Sequence, residues 1–368
     1  MRLKELDILR GVAVLLVLAC HCRASEFLLR SGWVDLFFVL SGFLISGLLF
    51  SEFKLRGSIG YRRFFIRRGF KIYPAFYVFL VGTAVVSYIF LQNATVIQYL
   101  REIFFVQNYW HGVWDHTWSL AVEEHFYILL PILLLLLIRV FPNQQDPFFL
   151  LPQIFLVAAI SCLAFRAISV WWRTPNFHTA VLATHDRIDS LFFGVLLAYF
   201  HHFHYGVLHN LLRPTLNRII IMVCSGCLVS TVYFLPRESR FFATFGFTFL
   251  YLGFGGILLC SLYVRDVLKG RVARIVTAIG SAAATIGVYS YSIYLWHGPV
   301  AAWFPGLVKR ILHVSFNFNV RAAISVTAAL GLGVLMSKLV EYPMLRLRDR
   351  IFPGILDKPV IQNHAKNG

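Results

Sequence analysis

The stretch LRGVAVLLVLACH, from Leu9 to His21, places two ionisable side chains near the two ends of an apolar run. Eleven residues are about three turns of an α-helix, so Arg10 and His21 share one helix face and lie about 16 Å apart along its axis. An ionisable group at membrane depth is costly and usually marks a functional site, and imidazole is suited to proton transfer near neutral pH. The stretch predicts a membrane helix with His21 as a candidate general base, although a histidine that only hydrogen-bonds a neighbouring helix fits the same pattern.

The composition extends this interpretation to the whole chain. Hydrophobic residues make up 58% of the sequence and charged residues 14%, which is typical of a membrane protein rather than a soluble domain. Apolar runs of about 20 residues are long enough to cross a bilayer as helices. We predict an all-α, polytopic bundle of about ten transmembrane helices, at 10–30, 33–53, 73–92, 118–138, 150–172, 188–204, 218–236, 241–263, 282–304 and 321–341.

We expect residues 1–345 to form one membrane-embedded domain and residues 346–368 a short basic cytoplasmic tail, with no soluble domain beside the bundle. The first run is expected to stay as a span, because the polar segment from Cys20 to Arg23 stands where a signal peptide would need small residues. The sequence contains no repeat of 20 to 50 residues, which would indicate a solenoid or a repeat transporter.

Lysine and arginine placement predicts the orientation, because cytoplasmic loops are enriched in positive charge. The largest basic cluster runs from Lys54 to Lys71, and further clusters cover 265–274 and 346–350. Both termini are therefore predicted to be cytoplasmic. The formal net charge of +17 does not indicate nucleic-acid binding, because the basic residues border apolar spans and suit anionic lipid headgroups.

The remaining cysteine and histidine patterns carry little chemistry. Cys224 and Cys227 form a C-x-x-C pair with no redox fold around it, and buried small hydrophobic residues explain the six cysteines. The histidines between His201 and His209 have no acidic or cysteine neighbour to complete a ligand set, so a solvated loop is favoured. The sequence predicts no metal site.

Intramembrane polar residues sort into two predicted zones. Ser119, Glu123 and Tyr127 are spaced four apart on one face of the fourth span. We expect Glu123 in an outer zone with His21, Asp189 and His297, and Arg10 in an inner, cationic zone with the segment 62–71. Arginine forks match phosphate oxygens, so the inner zone suits a phosphorylated ligand, and a histidine near a carboxylate suits deprotonation of a hydroxyl.

Seven motifs in order make the chain resemble the family 3 membrane acyltransferases. The R-x10-H pair Arg10 and His21 resembles the family's opening, and similar elements recur from about residue 5 to 345. They are the second-helix signature 35–45, the basic segment 67–74, the W-S-L-x-x-E-x-x-F-Y element 118–127, then 189–191, 291–297 and 341–343.

This resemblance implies an O-acyltransferase that takes an acyl group from cytoplasmic acyl-CoA, usually acetyl-CoA, as co-substrate with no tightly bound cofactor. The implied acceptors are hydroxyls of a surface glycan or lipid-linked sugar, and the implied location is a bacterial cytoplasmic membrane. Lys71 stands where the family's R-x-x-R segment usually has its second arginine, so a bidentate phosphate grip becomes a point charge. We expect no appended esterase-like extracytoplasmic domain, in which case either this chain acylates its acceptor directly within the bundle or a separate extracytoplasmic transferase completes the reaction.

The candidate site residues fall into three groups. His21 and Glu123 are assigned as catalytic, with His21 as general base or acyl carrier, and donor binding is assigned to Arg10, Arg67, Arg68 and Lys71. Supporting or acceptor-binding roles are assigned to Asp7, Asp35, Ser41, Gly42, Trp118, Ser119, Asp189, Tyr291 and His297.

Structural interpretations stay open for several of these residues. Asp7 and Arg10 suit a pair at a helix end, the basic segment 62–71 suits a topology anchor, and Glu123 suits a structural hydrogen bond. Arg187 with Asp189 suits a local ion pair at a helix start, and the aromatic residues near His297 suit an interfacial belt.

A proton-coupled transporter or flippase is the alternative function, because intramembrane His and Glu also build proton relays. Transporters usually show inverted repeats and matching broken spans, which this sequence lacks.

Overall fold

The computed structural model describes residues 4–22, 32–91, 94–172, 182–235, 239–262, 280–313 and 317–354. Regular structure in these ranges is entirely helical, as the apolar composition predicts. The helices are α1 Lys4–His21, α2 Trp33–Arg56, α3 Tyr61–Val86, α4 Val96–Ile103, α5 Trp118–Val140, α6 Leu151–Trp172, α7 Thr184–Phe203, α8 Tyr205–Leu212, α9 Thr215–Phe234, α10 Phe247–Leu262, α11 Ser290–Leu312, α12 Phe318–Met336 and α13 Tyr342–Ile351.

Six of the described helical spans are long and apolar enough to cross a bilayer, or seven if α7 and α8, bent by 98° at their junction, count as one broken span. The prediction of a multi-pass helical bundle is therefore confirmed, whereas the predicted number of about ten spans is not. The predicted spans 10–30, 218–236 and 282–304 overlap α1, α9 and α11, none of which is among the six. In α1 the reason is charge, because Lys4, Glu5, Asp7 and Arg10 all lie on its 18 residues.

Two predicted boundaries differ from the structure. The basic segment 62–71 was expected in a loop, but it forms the first turns of α3, which continues through Pro74. The predicted tail 346–368 begins inside α13, and residues 355–368 lie outside the described ranges, as does the basic group 265–274. The cytoplasmic orientation of the termini stays a prediction.

Close helix contacts fix the position of α1 and α2. A side chain on Gly11 would collide with the backbone of Ala283 in the helical segment 280–288, and one on Gly287 would collide with the backbone of Asp7. Gly42 of α2 and Gly194 of α7 meet in the same way. Such contacts between small residues let membrane helices approach backbone to backbone.

Three single π-helical turns adjoin long helices: one follows α3, one precedes α10 and one joins α12 to α13. The π-helical turns cover Ser87–Leu91, Phe242–Gly246 and Ser337–Glu341. Turns of this kind occur mostly at functional sites in helices. In this bundle one of them contributes Phe242 to a cavity wall, and another carries the buried Glu341.

Candidate active site

Two cavities lie along α1, one at each end of the apolar run. The histidine cavity, of about 1060 Å³, is lined by His21 and by residues of the segment 107–118. The cationic cavity, of about 80 Å³, is lined by Arg10, Arg68 and Lys71. Because α1 is helical from Lys4 to His21, the two lining residues Arg10 and His21 are separated by about 16 Å along its axis.

Three imidazoles form a cluster at the histidine cavity. The ring of His297 lies between those of His21 and His116, at centroid distances of 4.8 Å and 4.6 Å, and both contacts are edge to face. His21 and His116 line the cavity, whereas His297 is fully buried behind them. The structure thus brings His297 next to His21, as expected for the outer zone, and adds His116.

Backbone carbonyls fix the tautomer of each imidazole. The Nδ1 of His21 lies 3.0 Å from the carbonyl oxygen of Val17, and the Nδ1 of His297 bonds the carbonyl of Tyr294. The Nε2 of His116 lies 3.0 Å from the carbonyl oxygen of Leu295. A carbonyl only accepts, so each of these nitrogens carries a proton, and in the neutral form of the ring the lone pair is on the other nitrogen.

The lone pair of His21 is therefore on Nε2, in the orientation that a general base needs. The Nε2 of His297 has no hydrogen-bond partner within the described ranges. The cluster therefore offers proton acceptors on one side of a large cavity.

Tyr294 and Ser119 support the cluster from behind. The Tyr294 hydroxyl donates to the carbonyl oxygen of His116 at 2.7 Å and lies 2.7 Å from the Ser119 hydroxyl. Tyr294 is buried rather than part of an exposed aromatic belt, so the interfacial interpretation of this tyrosine is wrong. Ser119 acts through Tyr294 and the His116 backbone.

The cationic cavity contains carboxylates as well as cations. The Glu123 carboxylate accepts from the Tyr127 hydroxyl and, at 3.3 Å, from the Ser41 hydroxyl. Its charge also interacts with those of Arg68 and Arg10. The prediction of Glu123 in the outer zone with His21 is wrong, because four helical residues beyond Ser119 are about 6 Å deeper along α5.

The neighbours of Glu123 are ordered by further contacts. The Arg68 guanidinium stacks 4.1 Å from the centre of the Tyr127 ring. Glu124 accepts from the Tyr73 hydroxyl at 3.0 Å, and the Tyr291 hydroxyl donates to the carbonyl oxygen of Ile72 at 3.0 Å. Three of the four predicted donor-binding residues and Tyr291 thus converge on one cavity.

The fourth predicted donor-binding residue points elsewhere. Arg67 forms an ion pair with Asp349 of α13 at 3.1 Å and donates to the carbonyl of Phe352. Arg67 and Arg68 are neighbours on a helix, so their side chains diverge by about 100°. Only Arg68 lines the cationic cavity.

Buried ion pairs connect α2, α6 and α7. Arg187 bonds Asp35 at 2.7 Å, and the Ser190 hydroxyl donates to the same oxygen at 3.0 Å. Arg166 bonds Asp189 at 2.9 Å, with both side chains fully buried. The prediction of a local ion pair between Arg187 and Asp189 is therefore wrong, because each residue pairs with a partner on another helix.

The other predicted supporting residues are distributed around both cavities. Asp35 and Trp118 line the histidine cavity, where the Arg187 guanidinium lies 5.2 Å from the centre of the Trp118 ring. Ser41 lines the cationic cavity. Gly42 packs against the backbone of α7 and Asp7 is buried one turn before Arg10, and neither of them lines either cavity.

Sequence reasoning missed His116, Glu124 and Arg166. His116 lies two residues before Trp118, where the predicted span begins. Helical periodicity therefore could not predict which side chains it meets. Glu124 follows Glu123 and is turned about 100° from it around the helix, yet both carboxylates line the cationic cavity. Arg166 lies in the middle of an apolar run, and an isolated arginine at that depth was the signal that could have identified a buried ion pair.

A family model described as an acyltransferase domain matches residues 3–338. The peptidoglycan O-acetyltransferase OatA of Listeria monocytogenes is 27% identical over 92% of this chain and 55% of its own length. The O-acetyltransferase OatA of Staphylococcus aureus is 27% identical over 81% of this chain and 50% of its own length. The chain spans about half the length of these curated relatives, and no solved structure matches it.

Proposed function

The chain belongs to the membrane acyltransferase family, and on that premise we propose that it is an O-acetyltransferase that moves an acetyl group from acetyl-CoA to a glycan hydroxyl. One observation carries the proposal: a single helix, α1, supplies Arg10 to a cationic cavity and His21 to a histidine cavity. The first cavity suits an anionic donor, and the second offers a base to an acceptor.

The donor's phosphates are assigned to Arg10, Arg68 and Lys71. Arginine forks and a lysine ammonium are the side chains that bind phosphate oxygens most strongly. The carboxylates of Glu123 and Glu124 keep these cations in place, and the stacking of Arg68 on Tyr127 restricts its orientation further. Glu123 is thus proposed to act at the donor end, as a positioning residue for the cations, and Arg67 to hold α13.

His21 is proposed as the general base. Its Nε2 takes the proton of the acceptor hydroxyl while the hydroxyl oxygen attacks the thioester carbonyl carbon. The carbon–sulfur bond then breaks, and the imidazolium returns the proton to the departing thiolate. The products are an O-acetyl ester and CoA thiol, and general-base action of this kind contributes about 10²–10⁴-fold.

A covalent acyl-histidine is the second route that His21 allows. In that route Nε2 attacks the thioester carbonyl carbon and the carbon–sulfur bond breaks, which releases CoA as its thiolate. The acceptor hydroxyl then attacks the acetyl-imidazole, the carbon–nitrogen bond breaks to give the O-acetyl ester and neutral His21, and the hydroxyl proton passes to the thiolate. Transient labelling of the protein by radioactive acetyl-CoA in the absence of acceptor distinguishes it from the general-base route.

The acceptor is proposed to be a peptidoglycan strand or a related glycan at a bacterial cytoplasmic membrane. The support is the name of the Listeria relative and the size of the histidine cavity, which at about 1060 Å³ reaches the upper range of small-molecule sites. Its aromatic wall includes Trp114 and Trp118, whose flat apolar faces suit the faces of sugar rings.

The test uses the full chain reconstituted in lipid nanodiscs with radiolabelled acetyl-CoA and soluble peptidoglycan fragments. We expect thiol release that depends on the fragments, with label recovered in an alkali-labile ester of the glycan. If the protein does not bind acetyl-CoA, and if a proton gradient drives the acceptor across the membrane of vesicles that contain the protein, the transporter alternative is established instead. A partner requirement would appear as label that reaches the glycan only after an extracytoplasmic transferase is added.

A further inference from the structure

The segment that follows helix α4 forms one wall of the histidine cavity. The cavity is lined by Gln107 and by the continuous segment His111–His116. This segment contains His116 of the imidazole cluster and Trp114 of the aromatic wall. Whatever fixes the segment therefore fixes two of the groups that an acceptor meets.

One buried carboxylate, that of Glu102, holds this segment in place through hydrogen bonds. Glu102, on the last turn of α4, is fully buried and accepts from the backbone N–H groups of Val113 and Trp114, at 3.1 Å and 3.0 Å. The Thr117 hydroxyl lies 2.7 Å from its other oxygen. A carboxylate near the C-terminal end of a helix opposes the helix dipole, so its position needs a compensating role, which these bonds provide.

Other contacts around Glu102 make the same connection. Arg101 donates to the carbonyl oxygen of His111 at 2.9 Å, and Gln107 donates to that of Thr117 at 3.0 Å. Phe105, directly after α4, adopts φ of 55° and stacks on Phe76 at 4.7 Å. A left-handed phenylalanine is strained and persists only where its surroundings fix it, so the turn into the segment is rigid.

We propose that Glu102 is a positioning residue that sets the affinity for the glycan acceptor by holding the wall His111–His116 in place. The proposal rests on the proposed function, because it assigns the histidine cavity to the acceptor. Glu102 lines neither cavity, so it acts through its bonds to the backbone of Val113 and Trp114 and to the hydroxyl of Thr117, the residue after His116. Among the residues that the structure describes, no hydrogen bond joins Glu102 to a residue lining the cationic cavity, so we expect the KM for acetyl-CoA to be unaffected by its loss.

The kinetic test compares Glu102→Ala with Glu52→Ala in nanodiscs, with acetyl-CoA and soluble peptidoglycan fragments. Glu52 accepts from one backbone N–H, that of Gly60 at 3.1 Å, and lines neither cavity, so it is a matched control. Glu102→Ala should raise the KM for the fragments about tenfold or more while the KM for acetyl-CoA stays within twofold. An unchanged acceptor KM, or equal rises in both KM values, would overturn the proposal.

Two further variants protect the test against misfolding. Thr117→Val removes one donor to Glu102 at nearly constant volume and should raise the acceptor KM about threefold, and Thr117→Ser should restore it. If Glu102→Ala does not fold, these variants decide the question, and equal acceptor KM values for the valine and serine forms would count against the proposal.

Hydrogen exchange separates this inference from the proposed function. The amides of Val113 and Trp114 should lose protection in Glu102→Ala and keep it in Glu52→Ala, whether or not the chain transfers acetyl groups. A wild-type protein that releases no thiol would defeat the proposed function while leaving this structural readout intact. Unchanged protection would defeat the inference while leaving the proposed function intact.

Discussion

The ring of His297 meets the ring of His21 edge to face, with 4.8 Å between their centroids. His297 is fully buried, and its Nδ1 is held by the carbonyl of Tyr294. One neighbour of the His21 ring is thus a second imidazole, while the carboxylate of Glu123 lies in the cationic cavity. The His21 ring is therefore contacted by a second imidazole and by the carbonyl oxygen of Val17.

Replacing His21 by alanine should lower kcat by about 10²–10⁴-fold, because the general base is lost. The measurement is acetyl transfer at saturating acetyl-CoA and acceptor. His209→Ala is the control, since this histidine lies on α8 and lines neither cavity. A folded His21→Ala protein with near-normal kcat would remove His21 from the mechanism.

Arg68→Ala should raise the KM for acetyl-CoA about ten- to hundredfold, because a charge-assisted bond to a phosphate is lost. Arg67→Ala is the neighbouring control. It breaks a partly exposed pair with Asp349, which contributes at most about 1 kcal/mol, and should leave the donor KM within twofold. Equal effects of the two substitutions would mean that the whole segment is a topology anchor.

Gly298→Ala should lower kcat about tenfold, because a methyl group there would overlap the His116 ring and force the imidazole to move. Gly306→Ala, on the same helix α11, meets open space and should keep full activity. Transfer rates of the two variants provide the comparison. Equal rates would show that the position of His116 is unimportant.

Glu102 should make stability depend on pH. The pKa of its carboxyl is raised from 4.5 to about 7, mainly because the group is buried. The hydrogen bonds from Trp114 and Thr117 lower this pKa and the charge of Asp115 raises it, but both effects are smaller than that of burial. Between pH 4.5 and about pH 7, Glu102 is protonated in the folded state and ionised in the unfolded state. The free energy of unfolding therefore falls as the pH rises through this window. The change amounts to about 3 kcal/mol, at about 1.4 kcal/mol per tenfold change in proton affinity.

The check is the Tm in detergent at pH 5 and pH 8 for the wild type and Glu102→Gln. The glutamine side chain does not titrate, so its Tm relative to the wild type should be higher at pH 8 than at pH 5. A constant difference between the two proteins across this range would contradict the assignment.

Asp189→Ala should destabilise the protein by about 3–5 kcal/mol, because it leaves the buried guanidinium of Arg166 without its carboxylate. Combining Arg166→Met with Asp189→Leu should recover most of the lost stability, since both charges are then gone. Thermal unfolding in detergent measures both. A stable Asp189→Ala protein with a raised acceptor KM would instead restore the acceptor-binding role predicted for Asp189.

The helical bundle and the separation of Arg10 from His21 follow from the sequence, because helix geometry alone places eleven residues on one face. The same local rule placed Ser119, Glu123 and Tyr127 on one face of α5. It could not say which neighbour that face meets, since helix packing is decided by shape at close contacts such as Gly11 with the segment 280–288. For this reason the pairing of His21 with Glu123 was wrong.

Sequence by itself determined the membrane character, the family motifs and the order of charges along each helix, because these depend on composition and helical periodicity. Only the tertiary structure decided that Arg67 leaves the cationic cavity, that Asp35 and Asp189 pair with arginines on other helices, and that His116 joins the imidazole cluster. Each of these depends on which helix faces lie together in space, and that is a property of packing between segments far apart in the chain.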